Sequence, residues 1–176
     1  MSANSVSIAL AAATLIVVGA AAAAAIVQLR HLRTSNQLSA LLEIMNQWNL
    51  PAVQAAFREL QAVPAKMNDP QYVEELKSPG SIDRATHREF LALDLWEQIG
   101  TFSKYGLVDE KVVLDITSAQ VRNAWRLAEP AIAVLRARGG PATFENFEYL
   151  AVRAKLWERR HPSGAYPARL PRMPDL

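Results

Sequence analysis

The sequence has no cysteine, only seven glycines and three histidines in 176 residues, and no charged side chain before Arg30. Without cysteine there is no disulfide scaffold and no Cys-based zinc site. His31, His87 and His161 share no helical face. Glu158 and His161 stand three apart, half of a Glu-x-x-His pattern, but carboxylate-bridged dimetal bundles need two such pairs plus two further carboxylates. The glycines form no phosphate-cradling loop, and Gly139 and Gly140 fall at a helix end, where anions are not favoured. No serine sits in a G-x-S-x-G context. The sequence therefore assigns no catalytic, cofactor-binding or metal-ligating residue, and the expectation is a protein without a cofactor that is not an enzyme.

What the opening does contain is apolar. From Val6 to Val27 run 22 residues in which only Ser7, Thr14 and Gly19 interrupt Ala, Val, Ile and Leu. At about 1.5 Å per residue this makes roughly 33 Å of helix, enough to cross a hydrocarbon core of about 30 Å. Ten of the 22 are alanine, so the drive for insertion rests on Val6, Ile8, Leu10, Leu15 to Val18, Ile26 and Val27. Arg30, His31 and Arg33 follow directly. Lys and Arg stay on the cytoplasmic side, so Arg30 and Arg33 orient a single-pass anchor with its N-terminus outside and its C-terminal domain in the cytoplasm. A cleaved signal peptide is the competing reading, because Ala20 to Ala25 offer A-x-A patterns. Signal peptides have a basic n-region and an apolar core of about 7 to 15 residues, and neither is present. Small residues four apart, Ser5, Ala9 and Ala13, and Gly19 with Ala23, would let two such helices approach closely, although so alanine-rich a span produces that spacing by chance.

The remaining chain reads as helix, with no strand run. Leu38, Leu41, Leu42, Met45 and Trp48 form one apolar stripe over residues 34 to 48, on a helix that can continue directly out of the membrane. Pro51 starts the next helix, about 51 to 62, with Val53, Ala56, Phe57 and Leu60 inward. Pro64, Pro70, Pro79 and Gly80 mark residues 64 to 80 as a connector, with one short turn around Tyr72 to Leu76. Ser81 or Asp83 caps a helix ending near Tyr105, closed by Gly106 in the left-handed conformation. Asp109 caps a short helix, Glu110 to Ile116, and another starts at Thr117 or Ser118 and kinks or restarts at Pro130. Thr143 caps the last helix, about 144 to 160. Four prolines after His161 leave a disordered tail, 161 to 176. The expected fold is all-α: a transmembrane anchor in residues 1 to 29, then a cytoplasmic bundle of about four to six helices in residues 30 to 160.

The net charge of +2 conceals its distribution. Residues 30 to 33 carry +2, residues 34 to 150 carry eleven basic against fifteen acidic side chains, and residues 151 to 176 carry six against two. A nucleic-acid-binding domain carries its positive charge as a patch on the fold. Here the fold is mildly acidic, so nucleic acid is not the expected partner. The basic end, with Arg153, Lys155, Arg159, Arg160, Arg169 and Arg172, is either a solvated face or a contact with anionic lipid headgroups, worth about 1 kcal/mol per basic side chain near the surface.

Asp94, Glu97, Glu145 and Glu148 are the polar set of most interest. They are either carboxylates that pair with arginine (Arg122, Arg126, Arg136 or Arg138) or cap backbone, or a cluster able to bind a cation or do acid/base work. F-L-A-L-D-L-W-E-Q-I-G followed by Y-G-L-V-D, and A-W-R-L through L-R-A-R to F-E-N-F-E-Y-L, resemble a bacterial family of single-pass membrane proteins catalogued only as a domain of unknown function. The resemblance covers about residues 35 to 160. It implies that Trp96, Glu97, Gly100, Gly106, Trp125, Arg136, Phe147 and Glu148 define the family, and it carries no activity, ligand or catalytic residue with it. The resulting expectation is an inner-membrane protein whose partners are the lipid bilayer, through residues 6 to 27, and an unknown protein or a second copy of itself. The alternatives are an anionic-lipid or nucleic-acid binder working through the basic end, and a membrane-tethered enzyme using Glu97, Glu145 and Glu148.

Overall fold

A computed structural model describes residues 3 to 167 and 169 to 173, with side chains from residue 10 onward. Among the described residues there is no strand. Seven helices follow one another: α1 (Ala3–Trp48), α2 (Pro51–Leu60), α3 (Val63–Lys66), α4 (Pro70–Lys77), α5 (Glu89–Lys104), α6 (Glu110–Gly139) and α7 (Glu145–Arg160). The chain divides into two compact units, Met1–Ser39 and Ala40–Leu176. The all-α expectation, one long apolar helix followed by a helical bundle, is what the structure shows.

The first unit is helix α1 up to Ser39. From residue 10 onward its large apolar residues are exposed, with Leu15 74%, Ile16 72% and Val17 67% accessible. The Thr14 hydroxyl donates to the Leu10 carbonyl at 2.9 Å, so the one described hydroxyl in the apolar run is satisfied within its own helix. This helix is long and apolar enough to cross a membrane. The stripe at Leu38 to Trp48 belongs to the same uninterrupted helix. Of the small residues noted above, the side chains of Ser5 and Ala9 lie outside the described residues.

In the second unit, several punctuating residues act differently from what their types suggest. Pro64 is the second residue of α3 and Pro70 the first of α4, first-turn positions whose N–H has no partner within the helix, so its loss costs nothing there. The segment expected as a connector therefore holds most of α3 and all of α4, and Asp69 caps α4 by accepting from the Gln71 N–H at 2.9 Å. Asp83 accepts from the Ala85 N–H and the Thr86 hydroxyl, which closes a local turn, and α5 starts only at Glu89. Thr117 does not begin a helix. Its hydroxyl donates to the Val113 carbonyl at 2.7 Å, and α6 runs on through it. Helix α6 also continues through Pro130. Arg126, whose carbonyl loses its donor there, is exposed like Pro130, so water can satisfy it, while Ala128, Ala131 and Ile132 stay buried on the inner side.

Helix α5 lies at the centre and buries Phe90, Leu93, Trp96 and Ile99. It packs against α2 and α7, and α7 packs in turn against α6. Gly106 has φ 68° and ends α5 with its N–H donating to the Ser103 carbonyl, the left-handed closure read from sequence. From His161 the described residues form no helix longer than a single turn. Ala168 and residues 174 to 176 of the expected tail lie outside the described residues.

The tightest approach is between α5 and α7. A Cβ on Gly100 would stand 2.1 Å from the Asn146 carbonyl oxygen and 2.5 Å from its carbon, both backbone atoms that cannot move alone. Gly100→Ala gains up to about 1 kcal/mol of helix propensity but overpacks this junction, at about 1 to 3 kcal/mol or more. The expected outcome is a lower Tm for the detergent-solubilised full-length variant by circular dichroism. An unchanged or raised Tm would contradict the close approach.

Candidate functional site

Helix α7 starts in an unusual way. Phe144, in the cap position, is left-handed (φ 55°, ψ 37°) and offers no capping side chain. The first-turn N–H groups that a cap normally takes are those of the second and third helical residues, here Asn146 and Phe147. Glu97, reaching from α5, accepts from both, at 3.3 Å and 2.7 Å, and from the Asn146 side-chain amide at 2.7 Å. A carboxylate at a helix N-terminus also complements the helix dipole. Glu97 and Gly100 stand three apart on one face of α5, so one supplies the cap and the other lets the backbone come close enough to use it.

Arg136 secures the same junction from α6. Its guanidinium meets the Glu148 carboxylate at 2.8 Å, donates to the carbonyls of Thr143 (2.9 Å) and Phe144 (3.4 Å), and lies over the Trp125 ring at 5.6 Å. Rings in contact link α1 to α6: Trp48 to Trp96 at 5.0 Å, Trp96 to Phe147 at 6.2 Å, and Phe147 to Trp125 at 5.2 Å. The structure therefore gathers Trp96, Glu97, Gly100, Trp125, Arg136, Phe147 and Glu148 around the α5–α7 junction, and Gly106 stands apart at the end of α5. The carboxylates do not share a site. Glu97 caps α7, Glu145 meets Lys104 at 3.2 Å, Glu148 is held by Arg136, and Asp94 by Arg84 at 2.8 Å. Arg122 turns to Glu158, and Arg126 to the Asn123 side chain.

A second polar cluster escaped the sequence reading. Glu89 is fully buried, and its carboxylate accepts from the Tyr72 hydroxyl at 2.8 Å and the Lys66 ammonium at 3.0 Å. His87, also buried, has Nδ1 3.7 Å from Glu89 and Nε2 3.2 Å from Glu75. Burial raises the Glu89 pKa, but hydrogen bonds from its own backbone N–H, Tyr72 and Lys66 outweigh it, and the carboxyl titrates below its ordinary range. Burial, and then the Glu89 carboxylate, push the Tyr72 phenol up. The available signal was positional: Glu89 lies four and seven residues before Leu93 and Trp96, so it stands in the apolar stripe of α5.

A third carboxylate, Glu110, accepts from the Tyr149 hydroxyl at 2.6 Å and the Arg153 guanidinium at 2.9 Å. Its pKa is also depressed, because these partners overcome the effect of burial. Arg153 is thus taken up by Glu110 at the surface of the fold, whereas Lys155, Arg159 and Arg160 are exposed, as are Arg30 and Arg33 on α1. Among the described residues no group of three or more metal-ligating side chains converges. What the α5–α7 arrangement does chemically is hold helices in register.

Comparison with protein families matches residues 15 to 154 to a domain of unknown function (DUF4760). No curated protein and no solved structure matches the chain.

Two outcomes follow from these clusters. Glu97→Ala leaves the first-turn donors of α7 without their acceptor, which costs about 1 to 3 kcal/mol, while Glu97→Gln keeps one acceptor and costs less. Chemical denaturation of the full-length variants should rank them in that order, and equal stability to the parent for both would contradict the cap. The depressed pKa of Glu89 contributes stability that is present above the ordinary Glu value of about 4.3 and lost as pH falls through the lower folded-state value. Glu89→Gln should lose about 2 to 3 kcal/mol at neutral pH and show a shallower decline on acidification. An acid limb as steep as the parent's would contradict it.

Proposed function

We propose that this chain, which belongs to the family of that domain of unknown function, crosses the bacterial inner membrane once through α1 and holds a non-enzymatic helical domain at the cytoplasmic face. There the domain binds another protein or a second copy of the chain. The observation that carries this reading is the exposure of the apolar part of α1. Leu10, Leu15 to Val18, Ile26 and Val27 are each more than half accessible, and burying one such side chain is worth about 1.5 to 3 kcal/mol. Lipid offers that burial to the whole run. The family match begins at residue 15, inside the run, which supports a retained anchor over a cleaved signal. Arg30 and Arg33, directly after it, favour an outside N-terminus.

An interaction role is supported by how the polar residues are used. Each carboxylate that could have served chemistry at Glu97, Glu145 and Glu148 has a separate structural partner. The net acidic charge of residues 34 to 150 also disfavours nucleic acid as the partner.

A reporter fused after residue 176 should be active in the cytoplasm, and the protein should stay in the membrane pellet after alkaline extraction. A fusion active only in the periplasm, or release into the supernatant, would contradict the topology. Cross-linking in native membranes should yield a discrete adduct of the chain, with itself or with one partner. An enzymatic turnover assigned to the purified domain would contradict the non-enzymatic reading.

A further inference from the structure

Between the loop that follows α4 and the C-terminal end of α6 lies an open cleft of about 600 Å³, within the range of about 300 to 1,000 Å³ common for small-molecule sites. Its accessible apolar lining comes from Pro79, Ile82 and the half-buried Phe144, with the core residues Phe90 and Leu135 buried behind it. Its cations are Lys77, Arg84 and Arg138. Arg84 is already spent, since it grips Asp94 with two hydrogen bonds of 2.8 Å and lies 5.4 Å over the Phe90 ring. The one carboxylate lining the cleft, Glu97, is taken up by the N-terminus of α7.

Lys77 and Arg138 are the charges least committed to the fold. The nearest carboxylate to Lys77 is Glu74, at 3.7 Å, with both side chains mostly exposed. Arg138 donates one of its five N–H groups to the Ser78 carbonyl, next in sequence to Lys77, so both cations flank the same turn of chain. The adjoining wall, Gly80, Ser81 and Ile82, donates no backbone hydrogen bond among the described residues, which leaves its N–H groups available to an acceptor. An apolar lining beside two exposed cations, of which Lys77 has only the solvent-exposed Glu74 for a partner, selects a molecule with one apolar and one negative end.

We propose that this cleft binds an amphipathic organic anion, with an aromatic or short alkyl body against Pro79, Ile82 and Phe144 and a phosphate or carboxylate on Lys77 and Arg138. This ligand site goes beyond the tethered-module reading and does not depend on it. The same chemistry occurs in soluble phosphate esters and in lipid headgroups.

The test is calorimetric titration of 1-naphthyl phosphate into detergent-solubilised full-length protein, with inorganic phosphate and 1-naphthol as probes of each half alone. The expected result is saturable binding of the ester, about tenfold or more tighter than either half. The double variant Lys77→Gln/Arg138→Gln should weaken it by about tenfold or more, since each lost charge-assisted hydrogen bond is worth about that factor. The control double variant Lys111→Gln/Lys155→Gln, which removes exposed cations elsewhere, should bind as the parent does. Water-soluble dihexanoyl phosphatidic acid, added in competition, distinguishes the sources: displacement of the ester assigns a lipid headgroup, and its failure assigns a soluble ester. No saturation at millimolar ester, or equal binding by the parent and the Lys77/Arg138 variant, overturns the proposal. Equal weakening in the control variant does the same.

Discussion

Helix α7 cannot close its own first turn, and the structure around it depends on the carboxylate that closes it from another helix. Phe144 supplies no capping group, so Glu97 of α5 takes the N–H groups of Asn146 and Phe147. A cap is worth about 1 kcal/mol against a total stability of about 5 to 15 kcal/mol for a typical domain, so its importance is positional more than energetic. Once the start of α7 is set against Gly100, Phe147 falls between Trp96 and Trp125. Glu148 then falls on Arg136, and Tyr149 and Arg153 on Glu110. The arrangement also has a cost. The Trp96 indole N–H is buried without an acceptor, a penalty of about 1 to 3 kcal/mol that the packing of this large ring has to offset.

The two units are built for different surroundings. Ala40–Leu176 holds the buried apolar core, and most of its ion pairs lie at or near the surface, with Glu89 as the buried exception. In Met1–Ser39, the large apolar side chains from residue 10 onward are exposed along a helix long and apolar enough to span a membrane. This division explains why averages over the whole chain mislead. The net positive charge belongs to the residues after the apolar run and to the C-terminal end, where Arg153 is paired with Glu110.

What could be read in the sequence is what depends on periodicity and on local backbone chemistry. The apolar run, the helical stripes and the left-handed Gly106 all belong to that class. Proline was read too strongly as a breaker, because Pro64 and Pro70 stand where helices begin and Pro130 lies on the solvent side of α6. Thr117 and Asp83 carry cap-forming side chains, but each satisfies a local partner, and the helix boundaries moved accordingly. The junction itself was legible only as a list of familiar positions. That Glu97 caps rather than pairs with arginine follows from residues about fifty positions away, and that Gly100 must lack a side chain follows from the path of the Asn146 backbone. The Glu89 cluster joins Lys66, Tyr72, Glu75 and His87 across three segments, and only the acid placed in the apolar stripe of α5 announced it.

The central claim is that the W-E-Q-I-G and F-E-N-F-E segments build one helix junction in which Glu97 closes α7. Hydrogen exchange of the Asn146 and Phe147 amides in the detergent-solubilised full-length protein tests it most directly. First-turn amides of an uncapped helix have no hydrogen-bond acceptor and exchange freely. The account predicts that these two exchange as slowly as core amides of α5 such as that of Ile99. Exchange at the rate of unprotected amides would contradict it.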